Sequence, residues 1–169
     1  LVKGQGDGRV ISRAIRYSIE RKRAEDAIRR SSERFEILSE TASDLLRNKN
    51  PQDVVNKLCL RVMRYLDCDV FFNFLVDEEK KKLRLNTCAG IPEKTAKGME
   101  WLDFGAAVSG YVAQQGQRIV AENIPETNDP RTYLVRPFGV KAYACHPLMS
   151  QGKVIGTLSF GTRSRTTFS

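Results

Sequence analysis

Four cysteines and a single histidine are the residues of this chain best suited to chemistry, and two of them are neighbours: Cys145 and His146, within AYACHPLM, residues 142–149. An adjacent Cys–His pair can be a nucleophile with its base, two metal ligands, a cofactor anchor, or two ordinary strand residues. The first use needs both side chains within about 3 Å of each other on one side of the chain. AYACHPLM alternates like a strand, and successive strand residues point to opposite faces. A regular strand therefore separates the two, and the chain has no second histidine to replace the first. Cys59, Cys68, Cys88 and Cys145 form no C-x-x-C pair, so no zinc site is expected. They read as reduced, buried thiols of a cytoplasmic protein. No paired carboxylates stand out, so the sequence predicts no catalytic residues and no metal ligands.

Composition narrows the function further. The 169 residues are 41% hydrophobic and 28% charged, which suits one domain with a core plus an extension. The longest near-apolar run is VFFNFLV, far short of the roughly 20 residues of a membrane helix. The start lacks a signal-peptide pattern and lacks Met, so the chain reads as a piece of a longer protein. The net charge is +8. Residues 1–50 hold twelve Lys and Arg against eight Asp and Glu, so the charge is spread along the chain. RKR at 21–23 is interrupted by acids and has no interleaved aromatic residues, which argues for a solvated helix face over nucleic-acid contact.

These residues have to be positioned by three kinds of element. LVKGQGDG, with three glycines in five positions, reads as a loop that Asp7 caps. From about Arg9 to Leu46 there is neither Gly nor Pro, and helix formers dominate. Val10, Ala14, Tyr17, Arg21, Ala24, Ile28, Ser31, Phe35, Leu38, Ala42 and Leu45 recur at steps of four and three, a coiled-coil seam broken only by Arg21 and Ser31. Ile11, Ile15 and Ile19 form a second stripe near its start. The seam predicts a homodimer through residues 10–45. NKNPQD interrupts the helix, and Pro51 opens an amphipathic one ending near Leu66.

Beyond Cys68, CDVFFNFLVD and LRLNTCAG read as a hairpin across DEEKKK. IPEKTAKGMEWLDFG is read as an irregular connection, AAVSGYVAQQG as a short helix, and QRIVAENI as a short strand. PETNDPRTYLVRPFG is a long connection, and two strands joined by QGK close the chain. The fold class is α+β: an antiparallel sheet with helices on one face, preceded by a long coiled-coil-like helix.

This order resembles a GAF domain, the small-molecule-sensing module of signalling proteins. The resemblance rests on the helix leading into DCDVFFNFLVD, on GAAVSGYVAQQGQRIVAENI, and above all on YACHPLMSQGKVIGTLSFGTRSRTTFS. It covers about four-fifths of the chain, without the usual closing helix after Phe168. LVKGQGDGRVISRAIRYSIERKRAEDAI is similar to the end of a response-regulator receiver domain. There Lys3 falls where that family's phosphate-contacting lysine would lie, although Gly4 replaces the usual proline. The two resemblances imply a division into residues 1–30 (receiver-like tail and start of the linker helix), 31–50 (signalling helix) and 51–169 (GAF domain). They imply a sensor histidine kinase or hybrid regulator with the receiver-like part upstream and kinase domains downstream. They imply a non-catalytic regulatory module that binds a small ligand or serves only as a dimerisation spacer.

Phe72, Trp101, Phe104, Tyr111, Tyr143, Cys145 and His146 are the expected ligand-binding residues. Trp101 and Phe104 would act as loop aromatics over a cavity. If His146 faces the cavity, haem is the cofactor that the resemblance admits. A bilin anchor is disfavoured, because in bilin-binding relatives the Cys–His pair lies in a helical segment. The strand has two candidate faces, Ala142, Ala144 and Leu148 with His146 on one and Tyr143, Cys145 and Met149 on the other, and the sequence does not say which lines the cavity.

Overall fold

The computed structural model describes the backbone of residues 5–47 and 51–168, and the side chains of 11–40 and 52–168. The chain divides into two units, Leu1–Val54 and Val55–Ser169.

The first unit is dominated by one helix, α1 (Gln5–Arg47). It runs unbroken through the Gly-free stretch, as its residue types dictate. It also begins earlier than the sequence implies: Gln5, Gly6, Asp7 and Gly8 are helical, so Asp7 lies inside the helix instead of capping it. Extension from a formed nucleus adds one hydrogen bond per residue fixed, which offsets the ~1 kcal/mol that a helical glycine costs. Lys3 lies outside the described residues. Both apolar stripes of α1 are solvent-exposed where described, Ile15 at 55%, Ile28 at 69% and Phe35 at 73%.

The second unit takes in α2 (Pro51–Tyr65) from Val55 on, which leads into a six-stranded antiparallel sheet. The strands are β1 (Val70–Asp77), β2 (Lys82–Ala89), β3 (Trp101–Asp103), β4 (Ile119–Ala121), β5 (Ala142–Ser150) and β6 (Lys153–Thr162), in the spatial order β3-β2-β1-β6-β5-β4. The helix α3 (Glu93–Gly98) precedes β3, and α4 (Ala107–Gln115) links β3 towards β4. The β5–β6 hairpin turns at Gln151 and Gly152, with φ of 48° and 79°. Two successive left-handed residues match the twist of the flanking strands.

Several expected boundaries shift. Trp101 is on the edge strand β3, paired opposite Arg84, and not on a loop. Three residues are too few to show an alternating pattern, so only pairing with β2 reveals them. The strand expected over 117–124 contracts to Ile119–Ala121. The connection 125–139 contains two short 3-10 helices, Pro130–Leu134 and Arg136–Phe138.

The pleat divides the aromatic residues of β1 between the two faces. Phe72 and Phe74 stack at 6.4 Å on one, and Phe72 meets the Tyr143 ring edge-on at 6.3 Å. Val108 and Val112 of α4 complete this larger core. Phe71 lies on the opposite face, 6.2 Å from Phe160, against Cys59 and Met63 of α2. The sheet thus has α2 on one face and α4 with the 125–139 connection on the other.

Candidate functional site

Beneath α4, alternation along β5 and β6 brings polar side chains inward. Tyr143 and Cys145 on β5, with Thr157 and Ser159 on β6, are all at least 98% buried. The Tyr143 hydroxyl donates to Ser159 Oγ at 2.6 Å, and Ser159 Oγ donates to the Phe72 carbonyl at 3.1 Å. Cys145 Sγ lies 3.7 Å from Ser109 Oγ on α4. Thr157 Oγ1 is buried without a hydrogen-bond partner.

The start of α4 shapes this site. Ala106 caps the helix with no side-chain hydrogen bond, and the first turn carries no acid. Ala107 has a φ of 49°, a left-handed conformation that costs a non-glycine residue roughly 1–2 kcal/mol. Gly110 is required here, because a Cβ at that position would run into the Asp103 carbonyl oxygen.

Arg131 closes the outer side. Asp129 accepts from the Arg131 backbone N–H at 2.9 Å, capping the 3-10 helix. It also takes the Arg131 guanidinium through both carboxylate oxygens, at 2.9 Å from Nε and 2.7 Å from Nη2. Hydrogen bonds from Arg131 hold the Asp129 carboxyl below its usual range. The guanidinium also sits 5.8 Å from the Tyr111 ring centroid, in cation–π range. Phe72, Phe74, Met99, Ser109, Arg131 and Tyr143 line a cavity of about 10 Å³, the size of a single water.

Of the expected site residues, the structure brings Phe72 and Tyr143 onto this cavity, with Tyr111 beside it under Arg131. Cys145 lies on the same face, against Ser109, and Phe104 packs partly buried against the same core. Trp101 is elsewhere, on the sheet edge with Lys80 Nζ 3.9 Å from its ring centroid. His146 is on the opposite face and exposed. Its pleat sets it opposite Leu158, not Ser159, so the reading of His146 as a haem ligand in this cavity is corrected.

Ser109, Arg131, Thr157 and Ser159 were missed. The DPR sequence at 129–131 carries a cap signal, Asp before Pro at the first helical position, that marks the turn but not the direction of Arg131.

This site does not support nucleophilic chemistry. Burial pushes the Cys145 thiol up to about 11, so it is protonated near neutrality. Burial also raises Tyr143 above the ordinary phenol range. Among the described residues no three His, Cys, Asp or Glu side chains could hold a metal ion.

A family model described as GAF domain matches residues 48–169. The chain belongs to the GAF domain family. Solved structures share this fold. One is the GAF domain of an Acinetobacter phosphoenolpyruvate-protein phosphotransferase (19% identity, TM-score 0.65, 80% of each chain covered). Another is the free methionine-R-sulfoxide reductase of Neisseria meningitidis (17%, TM-score 0.63, 79% of this chain and 75% of that one). A third is a Staphylococcus aureus NreA protein mutated in its nitrate-binding site (17%, TM-score 0.58, 67% and 87%). No curated protein matches in sequence. GAF domains are generally non-catalytic sensory or regulatory modules. No described helix is long and apolar enough to cross a membrane.

Proposed function

We propose that this GAF domain is a non-catalytic sensory module that takes a small polar ligand beneath α4. The observation that carries the reading is the convergence of Arg131, Ser109, Tyr143 and the uncapped α4 start on one cavity. A purely structural core has no need of so many hydroxyls, nor of the unpaired Thr157, because buried polar groups cost stability. At about 10 Å³ the cavity admits nothing larger than water, so a ligand enters by displacing the 125–139 connection and lifting Arg131 from Tyr111. The signal then passes along α1, whose exposed stripes pair in a homodimer through residues 10–45. In the whole protein, a cytoplasmic sensor histidine kinase or hybrid regulator, α1 joins a receiver-like part upstream to the GAF domain, and the kinase domains follow downstream of it.

The small cavity favours a second reading, a ligand-free dimerisation spacer. Native mass spectrometry and calorimetry with nitrate, the anion named for the NreA relative, separate the two. Sensing predicts binding that Arg131→Gln weakens about tenfold, the usual worth of a hydrogen bond to a charged group. A dimer with no bound mass and no heat supports the spacer. For the relay, Arg21→Leu should tighten dimerisation, because a polar residue on the seam costs stability; unchanged sedimentation equilibrium would reject the seam.

A further inference from the structure

The connection 125–139 carries a groove on its outer side, open to solvent, with a volume of about 510 Å³. Asn128, Asp129, Pro130, Tyr133, Arg136 and Pro137 line it. Arg131 belongs instead to the small cavity beneath α4. The ion pair between Asp129 and Arg131 therefore joins a wall of the groove to a wall of the cavity. It is a partition that solvent reaches, since the two side chains are 20% and 37% exposed.

The contacts show what the pair holds. Oδ1 of Asp129 accepts from the Arg131 backbone N–H and from its Nε, each at 2.9 Å, and Oδ2 accepts from Nη2 at 2.7 Å. The carboxylate thus covers the Nε–Nη2 edge of the guanidinium, the edge that a planar anion with two oxygens takes. Arg136 lines the same groove. Its Nη2 donates to two neutral oxygens, the Thr127 carbonyl at 2.5 Å and Thr132 Oγ1 at 3.1 Å. Its charge therefore remains available to draw an anion to the groove.

We propose that Asp129 is an internal stand-in for the ligand, its carboxylate holding Arg131 until a planar oxyanion such as a carboxylate or nitrate enters by the outer groove and takes the Nε–Nη2 edge. This deepens the sensory reading of the α4 face and rests on it. The exchange replaces one charge-assisted pair by another, so the partition opens at small cost. The displaced Asp129 stays in the open groove beside Arg136, so no charge is left buried. A neutral ligand would have to part the pair and answer neither charge. A spherical anion has no second oxygen for the fork.

Calorimetric titrations of the 169-residue protein with nitrate and with chloride test the exchange. Asn caps a helix as well as Asp does, so Asp129→Asn removes the charge and keeps the turn. It should tighten nitrate about tenfold, the scale of a hydrogen bond to a charged group, and chloride far less. In an Arg131→Gln background the same change should have no effect, because no guanidinium is left to release. Backbone amides of 125–139 should exchange with deuterium several-fold faster in Asp129→Asn, with those of β1 unchanged. An equal gain for chloride, or an equal gain in the Arg131→Gln background, would leave only unspecific repulsion and overturn the proposal. A nitrate affinity lowered by Asp129→Asn, or unchanged amide exchange, would overturn it too. Nitrate heat in the wild type that Asp129→Asn leaves unaltered would remove the exchange and spare the sensory reading. No nitrate heat from any of these proteins would remove both.

Discussion

The two faces of the sheet differ in how they balance polarity and space. Beneath α4, hydroxyls and a thiol are buried among aromatic rings and almost no room remains. Beside α2, the contact surface is apolar and the charges sit at its edge. The cause lies in β5 and β6, which put Tyr143, Cys145, Thr157 and Ser159 on one side and Ala144, His146, Leu158 and Phe160 on the other. One strand pair therefore presents a filled polar core on one face and an apolar surface edged by charge on the other.

The largest expected effect would break this contrast. Phe72→Ala removes a ring packed against both Phe74 and Tyr143 and should cost about 3–5 kcal/mol in urea unfolding. A loss under 1 kcal/mol would mean that the α4 face is loosely packed. Gly110→Ala should cost about 2–3 kcal/mol, since the added methyl meets the Asp103 carbonyl at the start of α4. Unchanged stability would show that α4 can move off β3.

Alkaline unfolding sharpens the comparison, because thiols are buried on both faces. Burial raises Cys59, Cys68 and Cys145 from 9.0 to about 11. A raised folded value stabilises the protein fully below the unfolded value, and the contribution fades as pH climbs through the folded one. Stability should therefore be flat up to about pH 8 and fall between pH 9 and 11. In Cys145→Ala the fall should be shallower; an identical pH profile would show that Cys145 is not desolvated. Tyr143→Phe, which removes the hydroxyl donated to Ser159, should cost about 1 kcal/mol. The smallest effect belongs to the sheet edge. Lys82→Ala breaks an exposed 3.0 Å ion pair with Asp103 and should change stability by no more than a few tenths of a kcal/mol.

Much of the fold was legible where a pattern is long. The long helix α1, the amphipathic α2, and the β1–β2 and β5–β6 hairpins each follow a pattern kept up over several residues. Elements of three residues carry no period, so β3 was taken for a loop and β4 was drawn too long. Site residues fared less well. Phe72 and Tyr143, expected from the sequence, line the small cavity, but Arg131 beside them comes from a connection whose composition says only that the chain turns.

The chain's own residue order determined that Cys145 and His146 cannot act together, because the two-residue pleat is a property of the backbone. It also determined that α1 is a single helix with two apolar stripes, through the spacing of its side chains and the lack of Gly and Pro. Which member of the pair points inward was decided by tertiary structure. That choice depends on which face of β5 and β6 meets α4 and which meets α2, and so on contacts between residues more than thirty positions apart, such as Cys145 with Ser109. Local periodicity describes both faces equally well and carries no information about what covers each.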